Sequence, residues 1–79
     1  MWIRSQNRNV LVNADKFSIS KEHEVFRIYS VNYFLGEYST EEKAMKVMDM
    51  IEDAIIEHEI SNHKCKIIFY MPKDDEVDV

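Results

Sequence analysis

The fold is decided by one long stretch without glycine or proline, residues 39–60, with the sequence STEEKAMKVMDMIEDAIIEHEI. Ser39 and Glu42 stand three residues apart at its start, a spacing typical of a capping box at a helix N-terminus. Apolar residues then recur at helical spacing and form one stripe: Ala44, Val47, Met48, Ile51, Ala54 and Ile55. The pattern predicts an amphipathic helix from Thr40 to about Glu59.

Short β-type runs flank this helix on both sides. Alternating apolar and polar residues predict strands at Trp2–Gln6, Glu24–Val31, Tyr33–Tyr38 and Lys66–Met71. The runs Val10–Val12 and Phe17–Ile19 are counted as one interrupted strand. We therefore predict an α+β fold, an antiparallel β-meander of about five strands with one amphipathic helix packed on one face, in the order β-β-β-β-α-β.

The chain of 79 residues is short enough for a single domain, residues 1–79, and residues 73–79 are expected to form a flexible acidic tail. A domain of this size buries only roughly 60% of its unfolded surface. Its one cysteine, Cys65, has no partner for an internal disulfide. Self-association is another common way to stabilise a small domain, so we expect a homodimer or a higher homo-oligomer.

Four apolar residues of the predicted helix fall outside its main stripe. They are Met45, Met50, Ile56 and Ile60. Either they widen the face that packs on the core, or they form the oligomer interface.

The net charge of −5 is unevenly distributed along the chain. Residues 1–33 carry five basic and three acidic side chains, whereas residues 34–79 carry five lysines and twelve carboxylates. The acidic second half argues against general nucleic-acid binding, which needs basic surface. No apolar run approaches the roughly 18 residues of a membrane span, and no signal-peptide core is present. With a single thiol, these features lead us to expect a cytoplasmic protein without membrane contact.

Residue patterns for catalysis or metal binding are weak. His58, His63 and Cys65 are the best cluster of metal-binding types, but their spacing matches no standard zinc pattern. The His63–Cys65 pair lacks an orienting carboxylate and a glycine-built oxyanion site. The single glycine, Gly36, excludes a glycine-rich phosphate loop. We therefore predict no catalytic residues, no metal, no cofactor and no enzyme activity.

The strongest candidates for ligand binding lie on the predicted strands. Trp2, Arg4 and Gln6 share one side of the first strand, and together they suit a planar anion: the ring stacks, the guanidinium pairs with phosphate, and the amide contacts polar edges. The other candidates for ligand contact are Arg8, Arg27 and Tyr29. The alternative is that Trp2 packs in the thin core, the usual role of a lone tryptophan and the one we expect.

Three segments of the chain resemble short phage and prophage proteins of Gram-positive bacteria. The segments are Met1-Trp2-Ile3-Arg4-Ser5-Gln6, Leu35-Gly36-Glu37-Tyr38-Ser39-Thr40-Glu41-Glu42-Lys43-Ala44 and Phe69-Tyr70-Met71-Pro72. Some small phage proteins of similar size block host defence by sequestering nucleotide-derived immune signals, such as cyclic ADP-ribose isomers. The resemblance implies a phage origin and a similar anti-defence role.

The leading functional hypothesis is a non-enzymatic phage or prophage binding protein that sequesters a nucleotide-like immune signal in the host cytoplasm. One alternative is a protein-interaction module whose acidic helix face binds a basic host protein. Another is a structural or accessory protein of a phage.

Overall fold

The computed structural model describes residues 1–60 and 68–79. In chain order this part contains β1 (Trp2–Arg4), β2 (Leu11–Asn13), β3 (Ser18–Glu22), β4 (Val25–Ser30), β5 (Tyr33–Tyr38), α1 (Glu41–Ile60), β6 (Ile68–Tyr70) and the 3-10 turn Asp74–Glu76. The predicted α+β class is confirmed, because a set of strands precedes one long helix and a further strand follows it.

The strands divide into two three-stranded sheets, with the orders β2-β1-β6 and β3-β4-β5. We call them the first and the second sheet. The second sheet is an antiparallel meander, as predicted. In the first sheet β1 pairs antiparallel with β2 and parallel with β6. A parallel pair needs a long crossover, which the chain from β2 to α1 supplies.

The Val10 and Phe17 runs are not one interrupted strand, because the structure assigns them to different sheets. The backbone N–H of Ala14 still donates to the carbonyl oxygen of Met1 at 2.9 Å, which extends the pairing of β2 with β1. A bend at Asp15 then takes the chain out of the first sheet. Phe17 therefore leads into the second sheet.

The helix packs on β4 and β5 of the second sheet. Three residues of its predicted stripe, Ala44, Val47 and Ile51, are buried there, and their neighbours in the core include Ile28 and Leu35. This outcome confirms the 3.6-residue periodicity of the stripe. Within the described residues, no helix has the length and apolar character that crossing a bilayer requires.

The helix is capped one residue later than predicted. Thr40 is the capping residue, since its Oγ1 accepts a hydrogen bond from the backbone N–H of Lys43 at 3.1 Å. Ser39 makes different contacts: its backbone N–H and its hydroxyl donate to the carboxylate of Asp74, at 2.7 and 3.0 Å. The predicted Ser39–Glu42 capping box is therefore wrong, because an acidic residue distant in sequence takes the Ser39 hydroxyl.

Residues 73–77 pack against the domain instead of forming a detached tail. Val77 is buried in the core, and Lys43 Nζ contacts the Asp74 carboxylate at 3.3 Å. The backbone N–H of Ser39 does most to hold the pKa of Asp74 below its ordinary value, helped by the Ser39 hydroxyl and Lys43. Just upstream, the hydroxyl of buried Tyr38 donates to the carbonyl oxygen of Pro72 at 2.7 Å. These contacts fix the C-terminal segment beside the start of α1.

Candidate functional site

The first sheet presents one side to the core and the other outward. Paired residues on neighbouring strands point to the same side of a sheet, and successive residues alternate. Ile3, Val12 and Phe69 form one row and pack toward the core. The opposite side, which we call the outer face, consists of Trp2, Arg4, Leu11, Asn13, Ile68 and Tyr70.

The outer face exposes large apolar side chains. Trp2 is 41% exposed and Tyr70 is 56% exposed, and the side chains of Leu11 and Ile68 are exposed as well. The expectation that Trp2 packs in the core is therefore wrong. β1 has a single inward position, and the fully buried Ile3 occupies it.

A surface depression of about 420 Å³ adjoins the outer face. Its lining residues are Ser5, Gln6, Arg8, Tyr70, Met71, Lys73 and Glu76. Tyr70 belongs to both surfaces and connects them. The depression therefore extends the aromatic outer face toward the two basic residues Arg8 and Lys73.

The turn between β1 and β2 positions Arg8 through a set of local hydrogen bonds. The backbone N–H of Arg8 donates to the Ser5 carbonyl at 2.9 Å, and the Ser5 hydroxyl donates to Asn7 Oδ1 at 2.7 Å. The backbone N–H of Val10 donates to the same Ser5 hydroxyl oxygen at 3.0 Å. Arg8 has a φ of 71°, a left-handed conformation that costs energy for any residue with a Cβ. The Nε–H of Arg4 donates to the carbonyl oxygen of Arg8 at 2.9 Å, which holds the Arg4 guanidinium beside Arg8.

The cations around the depression are not neutralised. Within residues 1–60 and 68–79, no carboxylate lies at ion-pair distance from Arg4, Arg8 or Lys73. Glu76 does line the depression, but its carboxylate accepts the backbone N–H of Lys73 at 2.8 Å. Two cations, Arg8 and Lys73, and one carboxylate line the depression, and Arg4 lies on the adjoining outer face, in a protein whose net charge is −5. This local excess of positive charge suits an anionic ligand.

Gln6, a predicted ligand contact, joins the two sheets. Its backbone N–H donates to the Leu35 carbonyl at 2.7 Å, and its Oε1 accepts the backbone N–H of Glu37 at 3.0 Å. Its Nε2 donates to the carbonyl oxygens of Glu37 and Pro72, each at 3.1 Å. Both amide hydrogens are therefore used within the protein, so the Gln6 side chain has no donor left for a ligand.

The structure places Arg27 and Tyr29, two other predicted ligand contacts, on the second sheet, away from the outer face. Arg27 pairs with Glu37 at 3.0 Å and with Glu22 at 3.1 Å, and the Tyr29 hydroxyl donates to Glu22 at 2.7 Å. The Tyr29 hydroxyl is the main reason why the pKa of Glu22 lies below its ordinary value. One guanidinium faces two carboxylates, so this cluster is negative and unsuited to a phosphate. Gln6 lines both this cluster and the depression.

The four residues predicted at an oligomer interface are all exposed on α1: Met45, Met50, Ile56 and Ile60. At about 100° per residue, Met45, Ile56 and Ile60 fall within roughly 60° of one another, whereas Met50 lies roughly 140° from Met45. These three residues lie on one side of α1, but the exposed Asp49 and Glu52 lie on the same side between Met45 and Ile56. The exposed apolar surface is therefore divided into Met45 and the pair Ile56 and Ile60.

The described residues add no support for the weak candidates for metal binding and catalysis. His63 and Cys65 lie outside the described residues, and His58 is half-buried on α1. In the described part of the chain, no three histidine, cysteine or carboxylate side chains are grouped as a metal site.

Sequence reasoning missed Tyr70, Lys73, Leu11 and Ile68 as members of the site. The alternation of Ile68, Phe69 and Tyr70 was visible in the sequence and indicates that Phe69 faces opposite to its neighbours. What the sequence did not show is that this strand pairs with β1, which brings Tyr70 beside Arg4.

No family model, no curated protein and no solved structure matches this chain.

Proposed function

We propose that this chain is a non-enzymatic binding protein for a small planar anion of the nucleotide class, held on the outer face and in the adjoining depression. One observation carries the proposal: two exposed aromatic rings lie next to three cations that no carboxylate pairs within the described residues. Aromatic rings bind bases by stacking, and guanidinium groups bind phosphate through charge-assisted hydrogen bonds.

Each residue has a distinct role in this proposal. Trp2 stacks on the base, and Arg4 and Arg8 contact phosphate oxygens. Lys73 adds a point charge in the lining of the depression. Gln6 has a structural role in the site, because its side-chain hydrogen bonds to Glu37 attach the turn that carries Arg8 to the second sheet.

The biological role in this proposal is sequestration of a nucleotide-derived immune signal in the host cytoplasm by a phage or prophage protein. The resemblance of Met1–Gln6 and of Leu35–Ala44 to small phage proteins supports this role. The expected homodimer is part of the proposal, supported by the exposed apolar pair Ile56 and Ile60 at the end of α1.

The test uses the fluorescence of Trp2, the only tryptophan of the chain. Titration with cyclic nucleotides and ADP-ribose isomers should give saturable quenching for at least one compound, and that compound should raise the Tm because it binds the folded state. Arg8→Ala should weaken its binding by at least about tenfold, the effect of losing one charge-assisted contact.

The matched control is Lys46→Ala, which removes one positive charge from the exposed surface of α1. It should leave the affinity unchanged. If no compound of the panel quenches Trp2 or raises the Tm, the proposed function is refuted.

The exposed side of α1, which mixes apolar side chains with carboxylates, favours a second candidate function, a protein-interaction module. Met45, Ile56 and Ile60 are exposed among carboxylates, a combination that fits a basic partner surface with apolar side chains. Affinity purification from the host, with a Glu52→Gln, Asp53→Asn and Glu57→Gln variant as control, tests it. A partner that binds the native chain and the neutralised variant equally would contradict this candidate.

A further inference from the structure

We infer that this chain forms a two-fold dimer in which β3 of one copy pairs antiparallel with β3 of the other, about an axis at Ile19. This inference rests on the homodimer of the proposed function and locates its interface. It follows from the open edge of the second sheet, from an apolar groove beside that edge, and from the charges that a second copy brings to both.

β3 is an edge strand of five residues. Within residues 1–60 and 68–79 it pairs with β4 alone. At the opposite edge of the same sheet, the side chain of Gln6 already bonds the backbone of Glu37 on β5. The edge strands of the first sheet, β2 and β6, have only three residues each. β3 is therefore the edge best suited to accept a further strand.

The turn after β3 determines which of its backbone groups face the open edge. Glu22 and Val25 flank a two-residue loop, so they form a hydrogen-bonded pair, and such pairs recur at every second residue of an antiparallel ladder. Glu22 and every second residue before it therefore direct their backbone N–H and C=O groups to β4. Ile19 and Lys21 direct theirs outward, where a second strand can bond them.

A groove of about 370 Å³ separates the start of β3 from α1. Phe17 lines it from the strand side, and the apolar side chains of α1 line it from the other. Two exposed carboxylates of α1 also belong to the lining. The lining residues on α1 include Ile51, Ile55, Ile56, Asp49 and Glu52. An apolar groove with acidic residues suits an apolar segment that carries a cation.

Pairing about an axis at Ile19 delivers such a segment. The two Ile19 side chains come opposite each other, and Phe17 comes opposite the partner's Lys21. These residues share the side of the sheet that faces α1: Phe17 and Ile19 pack against the core, and Lys21 Nζ lies 5.8 Å from the centre of the Phe26 ring. The pairing therefore places an apolar strand with one cation over the groove, and it covers Ile56, which is 50% exposed in a single copy.

The charges in this register are complementary on both sides of the sheet. Within the described residues, Lys21 has no carboxylate and Glu52 no cation at ion-pair distance, and the dimer brings them together across the groove. On the other side, Lys16 comes opposite the partner's Glu22, in the cluster where one guanidinium faces two carboxylates. Because the axis is two-fold, each copy gives and receives both contacts. The groove and the strand that fits it belong to the same chain, which identifies the occupant as a second copy.

Other registers of β3 on itself are less favourable. An axis at Lys21 brings two lysines opposite each other, and an axis at Ser20 brings Lys21 opposite Ile19. An axis between two residues pairs an outward-facing residue with one that is bonded to β4. An axis at either end of β3 leaves most of the strand unpaired.

The first experiment reverses charges and measures the molecular mass by sedimentation equilibrium. The native chain should be a dimer. Lys21→Glu and Glu52→Lys should each weaken the dimer at least about tenfold, because each puts two pairs of like charges into the interface. An equimolar mixture of the two variants should recover dimerisation, since both contacts of a heterodimer again join opposite charges. Lys46→Glu, a charge reversal elsewhere on the exposed surface of α1, should leave the dimer intact.

A cysteine at the axis tests the register. In a Cys65→Ser background, Ile19→Cys should form a disulfide between two copies on oxidation. The Cα atoms of a hydrogen-bonded antiparallel pair are about 5.5 Å apart, within the range that a disulfide spans. Ser20→Cys should not cross-link, because Ser20 faces the partner's Ser18. Cross-linking of Ser20→Cys without that of Ile19→Cys refutes the axis at Ile19.

The outcomes separate this interface from the function on which it rests. A monomeric native chain refutes the β3 interface and the expected homodimer, and leaves nucleotide binding to the Trp2 titration. A dimer that withstands both charge reversals refutes the β3 interface and leaves the homodimer standing. Two monomeric variants that do not combine when mixed refute the contact between Lys21 and Glu52, and the β3 interface with it.

Discussion

Arg8 shows a conflict between backbone conformation and residue type. Its φ of 71° belongs to the left-handed region, where glycine and asparagine are favoured. Three neighbouring hydrogen bonds, from Arg8, Ser5 and Val10, hold the turn in this shape. His23 and Val31, in the two turns of the second sheet, also have a positive φ, so the conformation of Arg8 belongs to a tight turn between strands.

Arg8→Gly is expected to change stability and binding in opposite directions. Glycine adopts a positive φ without strain, so the free energy of unfolding should rise by about 0.5 kcal/mol after the entropy that glycine costs. Nucleotide affinity should fall, because the guanidinium is lost. Urea denaturation and Trp2 fluorescence titration measure the two effects. Arg8→Ala, which keeps the Cβ, should lose affinity without the gain in stability; if Arg8→Gly lowers both, Arg8 is a structural residue.

Trp2 shows how far alternation predicts a site. The sequence placed Trp2 and Arg4 on one side of their strand, and the structure does the same. Alternation does not say which side faces the core. In β1 that choice depends on Ile3, whose neighbours are Val12 on the next strand and Phe69 on a strand distant in the sequence. The exposure of Trp2 is therefore a property of the sheet and cannot be inferred from the strand alone.

Among the elements, α1 follows most directly from its sequence, because twenty residues carry one periodic pattern. Its predicted start was one residue too early for a reason outside the helix. Asp74, 35 residues after Ser39, takes the Ser39 hydroxyl and leaves the cap to Thr40. Local patterns predict the body of a helix well, but a contact from a remote segment decides which of two adjacent hydroxyls caps it.

The contact between Asp74 and the start of α1 predicts a specific acid sensitivity. The pKa of Asp74 is lowered from 3.8 in the folded state, so its contribution to stability is fully present above pH 3.8 and is lost as the pH falls through the folded pKa. Asp74→Asn should reduce the free energy of unfolding at neutral pH by about 1 kcal/mol and flatten its decline in acid.

Urea denaturation at a series of pH values from 6 down to 2 measures the acid sensitivity. Asp78→Asn is the matched control, since Asp78 is exposed and also lies in the acidic C-terminal segment. It should retain the native stability at neutral pH and the native slope in acid. An Asp74→Asn variant with the same slope as the native chain would show that the Ser39 contact does not contribute.

At the scale of the molecule, Gln6 links the first sheet to the second through hydrogen bonds of its backbone and its side chain. Its side chain occupies the edge of β5 as a strand residue would, accepting from Glu37 N–H and donating to Glu37 C=O. The sequence predicted the strands on both sides of this junction but not the division into two sheets. A glutamine that replaces a backbone partner has no pattern in the sequence that distinguishes it from a surface glutamine.

Gln6→Ala should therefore be strongly destabilising for a polar substitution. Three hydrogen bonds to backbone groups are lost, and at about 1 kcal/mol each the free energy of unfolding should fall by about 3 kcal/mol. Gln6→Met keeps the side-chain length and loses the same bonds, so it should cost nearly as much. Chemical denaturation measures both. Native-like stability of Gln6→Met would show that packing, not hydrogen bonding, joins the sheets.

The parallel pairing of β1 with β6 has a consequence for the order of events during synthesis. Residues 2–4 leave the ribosome first, but they cannot complete their sheet until residues 68–70 follow. The strands of the second sheet pair within residues 18–38, and α1 packs on β4 and β5, so this part can begin to form earlier, although Met71 and Val77 complete its core. The first sheet, with the Tyr70 side chain on its outer face, is therefore the last part of the described fold to be completed.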